Sequence, residues 1–126
     1  MKVLVVDDSA LTGSHLAAMF SEFPEIEPLG QVVDGLKAVD KIKRLKPDVV
    51  ILDVVLPARN GFEILHCVKR ENLAPIVMVL TGMPFVEYQE SCPEALAVFF
   101  FDKYTGFGRV RQTFKQLIEA KLQCVH

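Results

Sequence analysis

Val49-Val50-Ile51-Leu52-Asp53 is a run of unbroken aliphatic residues closed by a carboxylate, with Val54-Val55-Leu56-Pro57 behind it. A β-branched run without a polar interruption reads as a strand covered on both faces, the habit of central strands in parallel sheets. Asp53 then falls at the strand's carboxyl end, the edge at which open α/β sheets bind ligands. A carboxylate fixed there must be neutralised, paired or bound to a metal, because an unpaired buried charge is costly.

The same pattern repeats outward from that strand. Val3 to Val6 is a second apolar run; it ends in Asp7 and Asp8, and Ser9 is placed to cap a helix from Ala10 to about Phe23. Leu11, Ala18 and Met19, with Leu16 and Phe20 beside them, form that helix's expected inner face. Glu27 to Val33 has weaker strand character, and Asp34-Gly35 turns the chain into a helix to about Lys46 with Leu36, Val39, Ile42 and Leu45 inward. Pro47-Asp48 breaks it. Asn60-Gly61 signals a turn, and Phe62 to about Glu71 a helix that buries Ile64, Leu65 and Val68. Ile76 to Leu80 is a fourth strand ending at Thr81-Gly82, after which Pro84 opens and Pro93 stops a short helix. Val98 to Phe101 is a fifth strand ending at Asp102-Lys103, followed by a helix from about Phe107 to Leu122 with Val110, Phe114, Leu117 and Ile118 inward. Strands alternating with helices in this way predict an α/β fold, a doubly wound parallel sheet with right-handed crossovers.

Composition narrows the function. With 126 residues, 51% of them hydrophobic, the chain is the size of one domain, and nothing after Leu122 reads as a linker. Residues 1–126 are therefore expected to form a single domain, unless the chain is a piece of a longer protein. A net charge of -2 with both signs dispersed offers no basic stripe for a phosphate backbone, which argues against direct nucleic-acid binding. No stretch has the length of a membrane span, and Met1-Lys2 runs directly into a strand with no signal-peptide pattern, so a cytoplasmic protein is expected. Cys67, Cys92 and Cys124 lack metal-type spacing and read as reduced thiols; His15, His66 and His126 stand apart and do not read as ligands.

The strand ends, set side by side, place Asp7, Asp8, Asp53, Thr81 and Lys103 on one edge of the sheet. Crowded carboxylates repel one another, so a hard cation is expected among them, and Mg²⁺ accepts carboxylate, carbonyl, water and phosphate oxygens. A lysine and a threonine opposite suit the oxygens of a phosphoryl group. Each residue also has a plainer reading. Asp7 can cap a helix, Asp53 can cap a turn, Lys103 can be a surface lysine, Thr81 is an ordinary strand residue, and Phe100 can simply be core.

Val5-Val6-Asp7-Asp8-Ser9, Leu52-Asp53 with Pro57 and Gly61 behind it, Leu80-Thr81-Gly82 and Phe101-Asp102-Lys103 together resemble the receiver domain of bacterial response regulators, over the whole chain. The resemblance implies a flavodoxin-like sheet of order 2-1-3-4-5 with five helices. It implies Asp53 as the residue that takes a phosphoryl group from a sensor histidine kinase or a histidine phosphotransfer protein. It further implies Mg²⁺ on Asp8, Asp53 and the Val55 backbone carbonyl, with Asp7 bound directly or through water. Lys103 and Thr81 then contact the phosphoryl group, and Phe100 occupies the aromatic switch position. The downstream partner face is that of helix four, strand five and helix five; a homodimer stays open, since no charge pairs mark a dimer class on those helices.

Tyr104 departs from the family, which usually has a cis proline after this lysine; a cis bond to another residue costs about 3 kcal/mol, so the loop is expected to be trans or strained. Val55 and Met83, two residues past Asp53 and Thr81, are apolar and are expected to hinder an attacking water. The competing reading is a degenerate receiver that acts as an interaction module without phosphorylation. A metal-dependent phosphatase would show Asp-x-Asp on the first strand, and a flavin site would not tolerate Asp7-Asp8 beside the cofactor phosphate.

Overall fold

The computed structural model describes residues 1–56, 61–91 and 99–124. In chain order the elements are β1 (Lys2–Val6), α1 (Ala10–Phe20), β2 (Glu27–Val32), α2 (Ala38–Leu45), β3 (Val49–Leu52), α3 (Gly61–Arg70), β4 (Ile76–Thr81), α4 (Phe85–Ser91), β5 (Phe99–Asp102) and α5 (Phe107–Cys124). The strands form one parallel sheet in the order β2-β1-β3-β4-β5. That is the order implied by the resemblance.

The unbroken apolar strands arise because successive side chains point to opposite faces and both faces are covered. On one side Leu4 and Val6, Val50 and Leu52, and Val77 and Val79 meet Val39 and Ile42 of α2, Ile64, Leu65 and Val68 of α3, and Tyr88 of α4. On the other, Val3 and Val5, Val49 and Ile51, and Met78 and Leu80 meet Leu16, Met19 and Phe20 of α1 and Val110, Phe114 and Ile118 of α5. Full burial of one such aliphatic side chain stabilises the fold by roughly 1.5–3 kcal/mol.

Some expectations require correction. In α1 the buried face is Thr12, Leu16, Met19 and Phe20, whereas Leu11 is 67% exposed and Ala18 also faces solvent. The buried set keeps the i, i+4, i+7, i+8 spacing of one helix stripe, which Leu11 and Ala18 do not share. The helix ends at Phe20, with Ser21 as its C-cap, rather than at Phe23. Leu36 is 61% exposed, because Gly35–Lys37 forms a 3₁₀ turn capped by Asp34 before α2 begins, and this rotates Leu36 away from the inner face. The expectations on Pro57, Asn60, Cys92, Pro93, Val98 and His126 fall outside the described residues.

Candidate functional site

β1, β3 and β5 each carry the backbone ladder one step past their last regular residue, while Thr81 is itself the last residue of β4. Asp7 N–H donates to Val32 O at 3.1 Å, Asp53 N–H to Val6 O at 3.0 Å, and Lys103 N–H to Thr81 O at 2.9 Å. The candidate residues are thereby hung on the sheet and not on free loops. A second device then turns the chain away. Asp7 Oδ1 accepts from Ser9 N–H at 2.8 Å, Asp53 Oδ1 from Val55 N–H at 3.0 Å, and Asp102 Oδ1 from Tyr104 N–H at 2.8 Å. These are Asx turns, in which a short acidic side chain bonds the backbone two residues on. Thr81 Oγ1 repeats the pattern weakly with Met83 N–H at 3.3 Å.

The structure brings Asp7, Asp53, Thr81 and Lys103 together. Asp53 is 4% exposed and its carboxylate is fully engaged: Thr81 Oγ1–H donates to Oδ1 at 2.8 Å, and Lys103 Nζ donates to Oδ2 at 2.8 Å. The same ammonium reaches Asp7 at 3.1 Å. Burial raises the pKa of Asp7 above the ordinary carboxylate value, against the opposing pull of the Ser9 N–H and Lys103. Burial also works against charge on Lys103, but its hydrogen bonds to Asp53 and Asp7 outweigh that, and its pKa is raised.

Asp8 is exposed and completes a trio with Asp7 and Asp53 whose ligand oxygens all lie within 4.8 Å of one another. Opposite oxygens around an octahedral Mg²⁺ stand about 4 Å apart, so a small inward movement of these groups accommodates the ion, and the exposed Asp8 side leaves room for the waters it retains. The donor set, oxygen throughout, suits a hard cation.

Among the described residues every peptide bond is trans, that between Lys103 and Tyr104 included. The departure from proline is absorbed by Asp102, whose Oδ1 also accepts from Thr105 N–H at 3.1 Å and whose carbonyl accepts from Gly106 N–H at 2.8 Å. Lys103 reaches the carboxylates from this trans loop. A cleft of about 470 Å³ opens onto Asp53, with Val55, Met83, Glu87, Lys103 and Tyr104 in its walls.

The phenylalanine run divides by strand alternation. Phe101 is the core member at 4% exposed, Phe99 is 43% exposed, and Phe100 is half-buried against α4, its ring 4.8 Å from Tyr88 and 5.0 Å from Phe85. Cys67 Sγ–H donates to Glu71 Oε2 at 2.7 Å, and that bond, with burial, raises the thiol's pKa, in keeping with an unreactive cysteine.

Several supporting residues carried no sequence signal. Gln31 Nε2 donates to Asp7 O at 2.7 Å and Ser9 O at 2.9 Å, clamping the β1–α1 loop, and a Cβ at Gly13 would push the Gln31 amide out of that clamp. A Cβ at Gly61 would fall on Val54 Cα and the Asp53 carbonyl, so only glycine lets α3 start so close to the acidic strand end. An acidic residue before Lys103 at a strand end was, by contrast, a readable Asx-turn signal.

The model of the response regulator receiver domain matches residues 3–115. A protein-glutamate methylesterase/protein-glutamine glutaminase of Geobacillus kaustophilus is 46% identical over 79 residues, 63% of this chain and 23% of that protein. Its counterpart in Lawsonia intracellularis is 39% identical over 108 residues, 83% of this chain and 30% of that protein. The chain thus spans less than a third of the length of these relatives. Among solved structures, the response regulator domain of Thermotoga maritima CheB superposes with a TM-score of 0.77 at 29% identity, covering 95% of this chain and 94% of that one. The receiver domain of a DNA-binding response regulator from Colwellia psychrerythraea gives 0.82 at 27% identity, covering 94% and 98%.

Proposed function

The chain belongs to the response regulator receiver domain family, and from that premise we propose that Asp53 is the phosphoryl acceptor of a two-component or phosphorelay pathway. The observation that carries this reading is one buried carboxylate, Asp53, held at 2.8 Å by both the Thr81 hydroxyl and the Lys103 ammonium beside further acidic groups. An Asp53 oxygen attacks the phosphorus of a phosphohistidine on a sensor kinase or phosphotransfer protein. The O–P bond forms as the N–P bond breaks, leaving an acyl phosphate on the chain. Lys103 and Thr81, already aimed at the carboxylate, donate to the transferred oxygens. Asp8, Asp53 and the Val55 carbonyl are the residues that would hold Mg²⁺, with Asp7 bound directly or through water. Bound there, the cation offsets the crowded negative charge of carboxylates and phosphoryl group.

The output is a shift in a pre-existing equilibrium. Thr81 lies on β4 beside β5, which carries Phe100, and movement of Thr81 toward the phosphate gives the Phe100 ring space to turn inward. The partner surface is α4–β5–α5, where Phe85, Val86 and Phe99 are 45%, 65% and 43% exposed. Among the described residues no helix is long and apolar enough to cross a membrane, and the cytoplasm is the proposed compartment. Ester or amide hydrolysis is not proposed for this chain, which matches under a third of the methylesterase relatives' length.

Intact-protein mass spectrometry with phosphoramidate and Mg²⁺ tests the proposal. A single phosphate adduct is expected for the wild type and none for Asp53→Asn. An adduct that survives the substitution would overturn the assignment. No adduct in the wild type, with Mg²⁺ binding confirmed separately, would favour the phosphorylation-independent interaction module.

A further inference from the structure

Resting on the phosphoacceptor reading, we infer that Tyr104 and Glu87 are specificity-determining residues of the cleft and select donors that carry the phosphoryl group on a flat, protonated aromatic ring. Tyr104 is 82% exposed, so its side chain gains little from folding. It is nevertheless well placed. Its backbone is fixed by Asp102, and its ring edge rests on Gly82, where an added Cβ would meet Tyr104 Cε2 at 3.0 Å and Oη at 3.1 Å. A side chain at residue 82 would push the ring outward by a few tenths of an ångström. Val55 and Met83 extend the apolar wall, and Glu87, from the first turn of α4, adds a carboxylate.

An aromatic face attracts cations, and a carboxylate does so independently of it. A phosphoimidazole protonated on its distal nitrogen places its positive charge on the ring, which would lie in this part of the cleft while its phosphorus faces Asp53. At about 470 Å³ the cleft has space for more than a phosphoryl group. In the transfer an Asp53 oxygen forms the O–P bond, the P–N bond breaks with its electron pair left on nitrogen, and the distal proton stays on the ring. The leaving group is therefore neutral imidazole. A donor such as phosphoramidate, whose leaving group is ammonia, presents no ring to this wall.

The test compares second-order phosphorylation rate constants of the full chain with monophosphoimidazole and phosphoramidate at saturating Mg²⁺. Tyr104→Ala is expected to lower the monophosphoimidazole to phosphoramidate ratio about 3- to 10-fold, the range of one aromatic or cation–π contact. Tyr104→Phe should retain the ratio, and Glu87→Gln should lower it by a smaller factor that added salt erases. Gly82→Ala, which shifts the ring by only a few tenths of an ångström, should change the ratio less than Tyr104→Ala does. Equal losses with both donors, or a ratio unchanged in Tyr104→Ala, would overturn the inference while leaving Asp53 as acceptor. Failure of both donors on the wild type would overturn the acceptor reading and this inference together.

Discussion

The floor and the rim of the cleft follow opposite rules. On the floor, Asp7, Asp53 and Thr81 are 2%, 4% and 0% exposed, and their polar groups are engaged in a shared hydrogen-bond network centred on Lys103. On the rim, Val55 and Tyr104 are apolar or aromatic and 57% and 82% exposed. Buried polar groups are costly unless satisfied, so the floor tolerates few residue types in few positions. The rim carries no such penalty, and its side chains are free to differ from one receiver to another. On the proposed function, phosphoryl acceptance falls to the constrained region, and on the inference drawn from Tyr104 and Glu87 the choice of donor falls to the unconstrained one.

The sharpest way to break that division is Lys103→Met. Removing the ammonium leaves Asp53 Oδ2 without its 2.8 Å donor and sets two buried carboxylates against each other. Loss of one preorganised charged donor should slow phosphorylation at least about 100-fold. Breaking a largely buried ion pair should cost about 3 kcal/mol of stability without Mg²⁺, measured by urea unfolding, with much of it recovered when the ion is added. Tyr104→Ala should cost less than about 0.5 kcal/mol in the same assay, as surface substitutions do. If the rim variant proves the more damaging to stability, the division is wrong.

The same contrast explains what was readable in the sequence. The fold was legible because strands buried on both faces cannot be written without long apolar runs, and because Asp7, Asp53 and Asp102 each interrupt such a run at its end. Leu11 and Leu36 misled, since hydrophobicity alone does not say which side of a helix or a 3₁₀ turn a leucine occupies. Gln31 was invisible for another reason. Its amide bonds only backbone carbonyls of Asp7 and Ser9, so its partners leave no mark in residue type. Gly13 and Gly61 depend likewise on distant neighbours, Gln31 and the β3 end. Tyr104 was legible only as a departure from a pattern; that the lysine still reaches its carboxylates follows from the trans loop built on Asp102.

A smaller effect sharpens the rim's part. Val55 and Met83 both line the cleft beside Asp53 and offer no group that could orient a water molecule. The double variant Val55→Asn, Met83→Glu should shorten the lifetime of the acyl phosphate by up to about 100-fold, the low end of what a positioned general base contributes. Its rate of formation from phosphoramidate should change far less. Loss of a phosphate-specific signal over time, after the donor is removed by desalting, measures it. An unchanged lifetime would take hydrolytic control away from the rim.

The smallest expected effect probes the floor's own tension. Asp7 has its pKa raised by burial in spite of Lys103, which means the fold holds the protonated form better than the ionised one. For a group whose folded pKa lies above its unfolded value, the stabilising contribution is complete below the unfolded pKa and is lost as pH rises through the folded one. Without Mg²⁺, wild-type stability should therefore carry a falling component from the ordinary carboxylate range upward, which Asp7→Asn removes. The variant should match the wild type at acid pH and exceed it near neutrality, by a gap that narrows when Mg²⁺ is added, because the ion then offsets the charge on Asp7 in the wild type. Parallel curves for the two proteins across this window would mean that Lys103 fully compensates the charge on Asp7, and that the floor is at rest without a metal ion.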